Sequence, residues 1–226
     1  MNLVNLAGNA EVMIFDLDGT LVDSVSQIQV SSEKARIQFG YPSTPTGLVQ
    51  QQLGLPVEYL FSDLKLEPSD LQNLVQSFRE NLLIEINREN LIFEGVLSFL
   101  QKIKFLNIPI GVATTKPTYL AKEVVANSDI KDMVNFVQGT DGFSPKPDPE
   151  VLRRCMQGLG AKSAVMFGDR IEDIQAAKLL GLPSIGIAHS AHSVDSLLAK
   201  GAKYAFKNFM ELDLKFDQII QLVNVE

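Results

Sequence analysis

"VMIFDLDGTL", residues 12–21, decides how the rest of the chain is read. Its first four residues are apolar, with β-branched and aromatic members, which is the pattern of a short buried strand. The strand runs into Asp16, and Asp18 follows two positions later, on the same face of an extended chain. Gly19 lets the chain turn sharply and bring backbone N–H groups near an anion. Two carboxylates this close repel each other unless a proton or a cation lies between them. Mg²⁺ is the hard cation suited to such oxygen ligands. A solvated acidic loop would satisfy the same ten residues, so the choice depends on what the other strands carry.

Outward from this stretch, short apolar runs alternate with helical patterns. Residues 108–114 (IPIGVAT), 134–139 (VNFVQG), 164–169 (AVMFGD) and 183–188 (PSIGIA) read as further buried strands. Helices are expected over 95–106, 117–127, 149–159 and 172–180. Pro149 stands at a first helical position and Gly181 at a C-cap. This alternation predicts an α/β fold: a Rossmann-like parallel sheet covered by helices, with ligands outside the carboxyl ends of the strands. Residues 22–92 break the rhythm. They contain no convincing strand and read as helices at 25–40, 48–54, 57–64 and 69–86, the last capped by Ser69. The expected organisation is a discontinuous core, 1–21 and 93–226, with an all-α cap domain inserted at 22–92.

The chain has 226 residues, is 46% apolar by the broad count and carries a net charge of −7. That suffices for a sizeable core and argues against a nucleic-acid surface, which needs clustered Lys and Arg. An anionic substrate stays open, because a metal ion supplies positive charge locally. The single cysteine, Cys155, reads as a small core residue. With no disulfide available, no signal-peptide pattern at residues 1–12 and no run of about 20 apolar residues, the expectation is a cytoplasmic protein that does not enter membranes. A monomer and a homodimer are both compatible with the sequence.

"DLDGTLVDS", residues 16–24, resembles the first signature of the haloacid dehalogenase superfamily, most of whose members are phosphatases. The resemblance implies three later motifs, each after a strand. "GVATTKP" (111–117) supplies Thr114, followed by Thr115. The Thr114 hydroxyl would hydrogen-bond a phosphoryl oxygen, or cap the following helix, or both. "FSPKPDPEVL" (143–152) supplies Lys146, stiffened between two prolines. "VMFGDRIEDIQAAKLLG" (165–181) supplies Asp169 and Asp173, neighbours at i, i+4 if the turn becomes helical at once. Glu172 reads as solvated, and Arg170 stands where many relatives carry a small residue. The insert looks like a C1-type cap of the phosphoglycolate phosphatase-like branch.

The resemblance implies a Mg²⁺-dependent phosphatase for a small phosphorylated metabolite, working through an aspartyl phosphate. Asp16 would be the nucleophile and Asp18 the general acid and base. Thr114, Thr115, Lys146 and the N–H groups around Gly19 would hold the phosphoryl group. The metal would be held by Asp16, by Asp18 through its backbone carbonyl, and by Asp169. Asp173 would reach a metal-bound water or pair with Lys146. Alternatives are a phosphomutase of the β-phosphoglucomutase type, a pyrophosphatase or nucleotidase, and a non-catalytic module binding phosphorylated ligands. In the cap, Gln51, Gln52, Arg79 and Arg88 could meet substrate, and no spacing selects among them. His189 and His192 are expected at the surface or rim.

Overall fold

The computed structural model describes residues 11–88, 91–189 and 192–223; the reading of the first ten residues lies outside them. Six parallel strands form one sheet: β1 (Val12–Phe15), β2 (Ile110–Ala113), β3 (Phe136–Gln138), β4 (Ala164–Gly168), β5 (Ser184–Ile187) and β6 (Tyr204–Phe206). Their spatial order is β3-β2-β1-β4-β5-β6. The order reverses at β1, so the chain winds one way to β3 and the other way from β4 to β6. A crevice therefore opens between the carboxyl ends of the central strands, where open α/β sheets bind ligands.

Period-two alternation sorts β1 between two cores. Met13 and Phe15 face one layer, where Phe15 stacks on Phe167 of β4 at 4.5 Å and meets Phe99 edge-on at 6.4 Å. Phe99 belongs to helix α4 (Val96–Phe105) and packs against Phe209 and Phe216 of α9 (Phe209–Val223). Val12 and Ile14 face the other layer, with Val151, Leu152 and Cys155 of α6 (Glu150–Gly158). Residue 111 must be glycine for that layer to close: a Cβ there would lie 2.6 Å from Cys155 Sγ. Burial pushes the Cys155 thiol up to about 12. The remaining covering helices are α5 (Thr118–Ala126), α7 (Ile171–Leu179) and α8 (Val194–Ala199).

Between β1 and β2, before α4, come α1 (Val25–Gln38), α2 (Leu48–Gln52), a 3₁₀ helix (Val57–Leu64) and α3 (Pro68–Ile86). The chain leaving the sheet and the chain returning to it run side by side. The Asp23 N–H donates to the Leu91 carbonyl at 2.8 Å and the Phe93 N–H to the Leu21 carbonyl at 3.1 Å. Arg36 ties the helical segment together from within. Its buried guanidinium donates to the Leu60 carbonyl at 2.7 Å and forks onto Asp63 at 2.6 and 3.0 Å.

Several expectations are corrected here. Ser69 does not cap α3: the helix starts at Pro68, with Glu67 as N-cap. Proline has φ already set for the first helical position and no N–H to lose there. Pro149 sits one position earlier than expected, at the N-cap of α6. The sheet has a sixth strand, β6, whose three residues are too few to show a period.

Candidate active site

The residues expected to act together end neighbouring strands. Asp16 follows β1 directly, and its N–H donates to the Phe167 carbonyl of β4 at 2.8 Å, which fixes the exit of the chain. Thr114 follows β2, Asp169 follows β4, and Lys146 lies in the loop before α6. Asp16, Asp18, Thr114, Lys146, Asp169 and Asp173 are all buried.

Lys146 organises the centre. Its Nζ donates to Asp16 Oδ1 at 2.7 Å, to Asp173 Oδ1 at 2.6 Å and to the Ala113 carbonyl at 3.2 Å. Burial alone would lower the Lys146 pKa, but the Asp16 and Asp173 carboxylates outweigh it and raise the value. Burial pushes Asp16 up to about 7, with Lys146 opposing and Asp173 and Asp18 adding to the rise. Asp169 is raised well above the usual carboxylate range, first by burial and then by its neighbours Asp16 and Asp173. The pairing with Lys146 is one of the two roles expected for Asp173. Asp173 also accepts the Arg170 N–H at 3.1 Å, closing the first turn of α7.

Oxygens of Asp16, Asp169 and Asp173 lie within 4.8 Å of one another. Asp169 Oδ1 accepts from the Thr20 hydroxyl at 2.8 Å, whereas the buried Asp169 Oδ2 has no hydrogen-bond partner among the described residues. A buried carboxylate oxygen left without a donor is costly unless a cation meets it. Gly19, at φ +85°, preserves space beside this oxygen, since a Cβ there would lie 2.7 Å from Asp169 Oδ2. Three buried carboxylates, one of them with an orphaned oxygen, fit a divalent cation such as Mg²⁺. The Asp18 side chain is not one of the three; its Oδ1 accepts from Lys116 Nζ at 2.9 Å.

Lys116 is the residue the sequence did not single out. It stands two positions after Thr114 and is 8% exposed, so its ammonium has left water to meet Asp18. A lysine following the second strand's threonines was the available signal. Thr114 does not cap α5, whose N-cap is Pro117; its Oγ1 instead accepts the Lys116 N–H at 3.3 Å. Thr115 is half-buried and lines a cavity of about 260 Å³ beside Asp18 and Lys116, between the core and the helical segment. Gln52 and Arg79 line the same cavity; Gln51 and Arg88 do not.

Glu172 departs from the expected solvated picture, and Arg170 is its partner. Arg170 Nε donates to Glu172 at 3.1 Å, and Arg170 Nη1 donates to the Leu53 carbonyl at 2.6 Å. His189 is not a free surface residue: its ring stacks on Phe93 at 4.0 Å, and burial lowers its pKa to about 4. His192 is partly exposed, and its Nε2 has no hydrogen-bond partner among the described residues. Among the described residues no helix is long and apolar enough to cross a membrane.

Known proteins resemble the chain over nearly its whole length. "Probable phosphatase IndB" of Dickeya dadantii is 30% identical over 211 residues, covering 89% of this chain and 91% of that protein. A phosphoglycolate phosphatase of Neisseria meningitidis is 30% identical, covering 79% and 80%. A 5'-nucleotidase of Pseudomonas aeruginosa is 26% identical, covering 83% and 86%. Among solved structures, a predicted phosphatase from Clostridium acetobutylicum superposes with a TM-score of 0.79 at 26% identity, covering 92% of this chain and 99% of that one. Residues 13–187 match the profile of the haloacid dehalogenase-like hydrolases, and that stretch contains every strand-end residue of the site. The chain therefore belongs to the haloacid dehalogenase-like hydrolase family, an enzyme family built on this α/β sheet.

Proposed function

We propose that the protein is a Mg²⁺-dependent phosphatase of a small phosphorylated metabolite, acting through an aspartyl phosphate. The observation that carries this reading is the pairing of Lys146 with Asp16 beside the unpartnered Asp169 Oδ2. A lone nucleophilic carboxylate and a phosphoryl group would repel, and the site supplies one lysine and a cation position between them. The names of the relatives, phosphatases and a nucleotidase, support the same class of reaction.

In this reading an Asp16 carboxylate oxygen attacks phosphorus, and the bond from phosphorus to the leaving oxygen breaks. Asp18, held by Lys116, gives its proton to that oxygen and releases the alcohol. Water then attacks the phosphorus of the acyl phosphate and passes its proton to the Asp18 carboxylate. Inorganic phosphate leaves, and Asp16 is regenerated. Asp16, Asp169 and the Asp18 backbone carbonyl would hold Mg²⁺, with Asp173 reaching it through water or remaining on Lys146. When bound, the ion supplies charge neutralisation between substrate and nucleophile. Lys146, the Thr114 hydroxyl and the N–H groups near Gly19 orient the phosphoryl oxygens. The helical segment 22–92 acts as the cap that covers the reacting centre and excludes water.

Phosphate release from a panel of phosphate monoesters, with Mg²⁺ and with EDTA, tests this. Wild type is expected to release phosphate only with the metal, and Asp16→Asn to lose at least about a thousandfold in rate, in the range of a deleted nucleophile. An equally active Asp16→Asn would reject the nucleophile. Interconversion of sugar phosphates without net phosphate release would identify a mutase instead.

A further inference from the structure

The walls of the cavity above Asp18 specify what the leaving group is made of. From the helical segment, Leu55, Val57, Leu60, Phe78 and Leu82 line it; from the core, Leu120 and Phe143 do so. Phe143 is held in place by the Arg154 guanidinium, 4.2 Å from its ring centroid. Phe78 and Leu82 lie four positions apart on α3, so one face of that helix presents an apolar wall. At about 260 Å³ the space approaches the size of small-molecule sites, which begin near 300 Å³. A polar two-carbon hydroxy acid would leave most of this wall uncovered, whereas an apolar body the size of an aromatic ring would cover it.

One cation interrupts the apolar lining from the α3 side. Arg79 lies between Phe78 and Leu82 in sequence and lines the cavity with them. Its Nε is buried and has no hydrogen-bond partner among the described residues. Of the two acids that line the cavity, Asp18 pairs with Lys116 and Glu58 is exposed, and among the described residues neither forms an ion pair with Arg79. A buried guanidinium donor without an acceptor is a standing cost that a ligand acceptor would relieve.

Building on the phosphatase reading, we propose that the substrate is a phosphate monoester of an apolar, ring-sized alcohol that carries a carboxylate for Arg79. Asp18, Thr115 and Lys116 line the core end of the same cavity, so the alcohol oxygen at the reacting centre and the carboxylate at Arg79 would belong to one molecule. Arg79 is then a specificity-determining residue.

The test measures kcat/KM with Mg²⁺ for phenyl phosphate, para-carboxyphenyl phosphate, phosphoglycolate and uridine monophosphate. The carboxylated aryl ester is expected to exceed phosphoglycolate at least tenfold. The ratio of carboxylated to plain aryl ester is expected to fall at least tenfold in Arg79→Gln and to recover in part in Arg79→Lys. Phosphoglycolate or the nucleotide as the best substrate would overturn the proposal while leaving the phosphatase reading intact. An unchanged ratio in Arg79→Gln would remove Arg79 from it. Equal phosphate release by wild type and Asp16→Asn on every ester would overturn both readings together.

Discussion

At Gly19 a single methyl group meets two objections at once. The backbone sits at φ +85°, where an L-residue is strained by about 1–2 kcal/mol. The added Cβ would also press on Asp169 Oδ2 at 2.7 Å and on Leu53 Cδ2 at 3.0 Å. Gly19→Ala is therefore expected to lower the melting temperature by roughly 2–8 °C, at about 2–4 °C per kcal/mol for a chain of this size. Because the pressed oxygen belongs to the proposed cation position, the variant is also expected to need a higher Mg²⁺ concentration for half-maximal activity. Thermal melts together with a metal titration check both, and an unaltered metal requirement would show that the oxygen moves aside freely. At this scale much of the site was legible. Asp16, Asp18, Lys146, Asp169 and Asp173 each stand in a local string that signals a strand end or a helix start. The pairing of Lys116 with Asp18 and the stacking of His189 on Phe93 were not legible, because each depends on a partner brought near only by the folded sheet.

At the scale of elements, the tie between α7 and the turn after α2 links the helical segment to the core. Arg170, the N-cap of α7, adjoins Asp169 and reaches across to the Leu53 carbonyl at 2.6 Å. Gly54 leaves room for it, since a Cβ there would lie 2.7 Å from Arg170 Cδ. A hydrogen bond from a charged donor contributes about 1.5–3 kcal/mol. Leu53 and Gly54 also line the cavity beside Asp18, so losing the tie loosens one wall of it. Arg170→Ala is expected to lower kcat/KM about tenfold, mostly through KM, and to speed proteolytic cleavage between residues 40 and 56. Cleavage at the wild-type rate would show that the turn is held by its apolar contacts alone. The central strands were readable as short apolar runs flanked by turn residues, and the long helices by the spacing of their apolar residues. The start of α3 at Pro68 and the strand β6 were not: a proline outranks a nearby serine as a starting residue, and three residues carry no period.

Across the whole molecule, the sheet gathers acids from distant parts of the chain into one buried place, and their sum is unbalanced. Asp16, Asp169 and Asp173 lie together with one ammonium, Lys146, among them, while Asp18 is matched by Lys116. Folding the metal-free chain therefore either confines excess negative charge away from water or makes Asp16 and Asp169, whose pKa values are raised, take up protons, and both oppose stability. A divalent cation that binds the folded chain and not the unfolded one reverses that opposition. At a hundredfold excess over its Kd it stabilises by about 2.7 kcal/mol, on the order of 5–10 °C in melting temperature for a chain of this length. Asp169→Asn keeps the shape of the side chain and removes one charge. It is expected to leave the EDTA-treated protein at least as stable as wild type and to abolish the rise on adding Mg²⁺. Melting curves of both proteins with EDTA and with Mg²⁺ decide this without any substrate. An undiminished Mg²⁺ shift in Asp169→Asn would place the cation elsewhere and leave the orphaned Oδ2 to be explained by another partner.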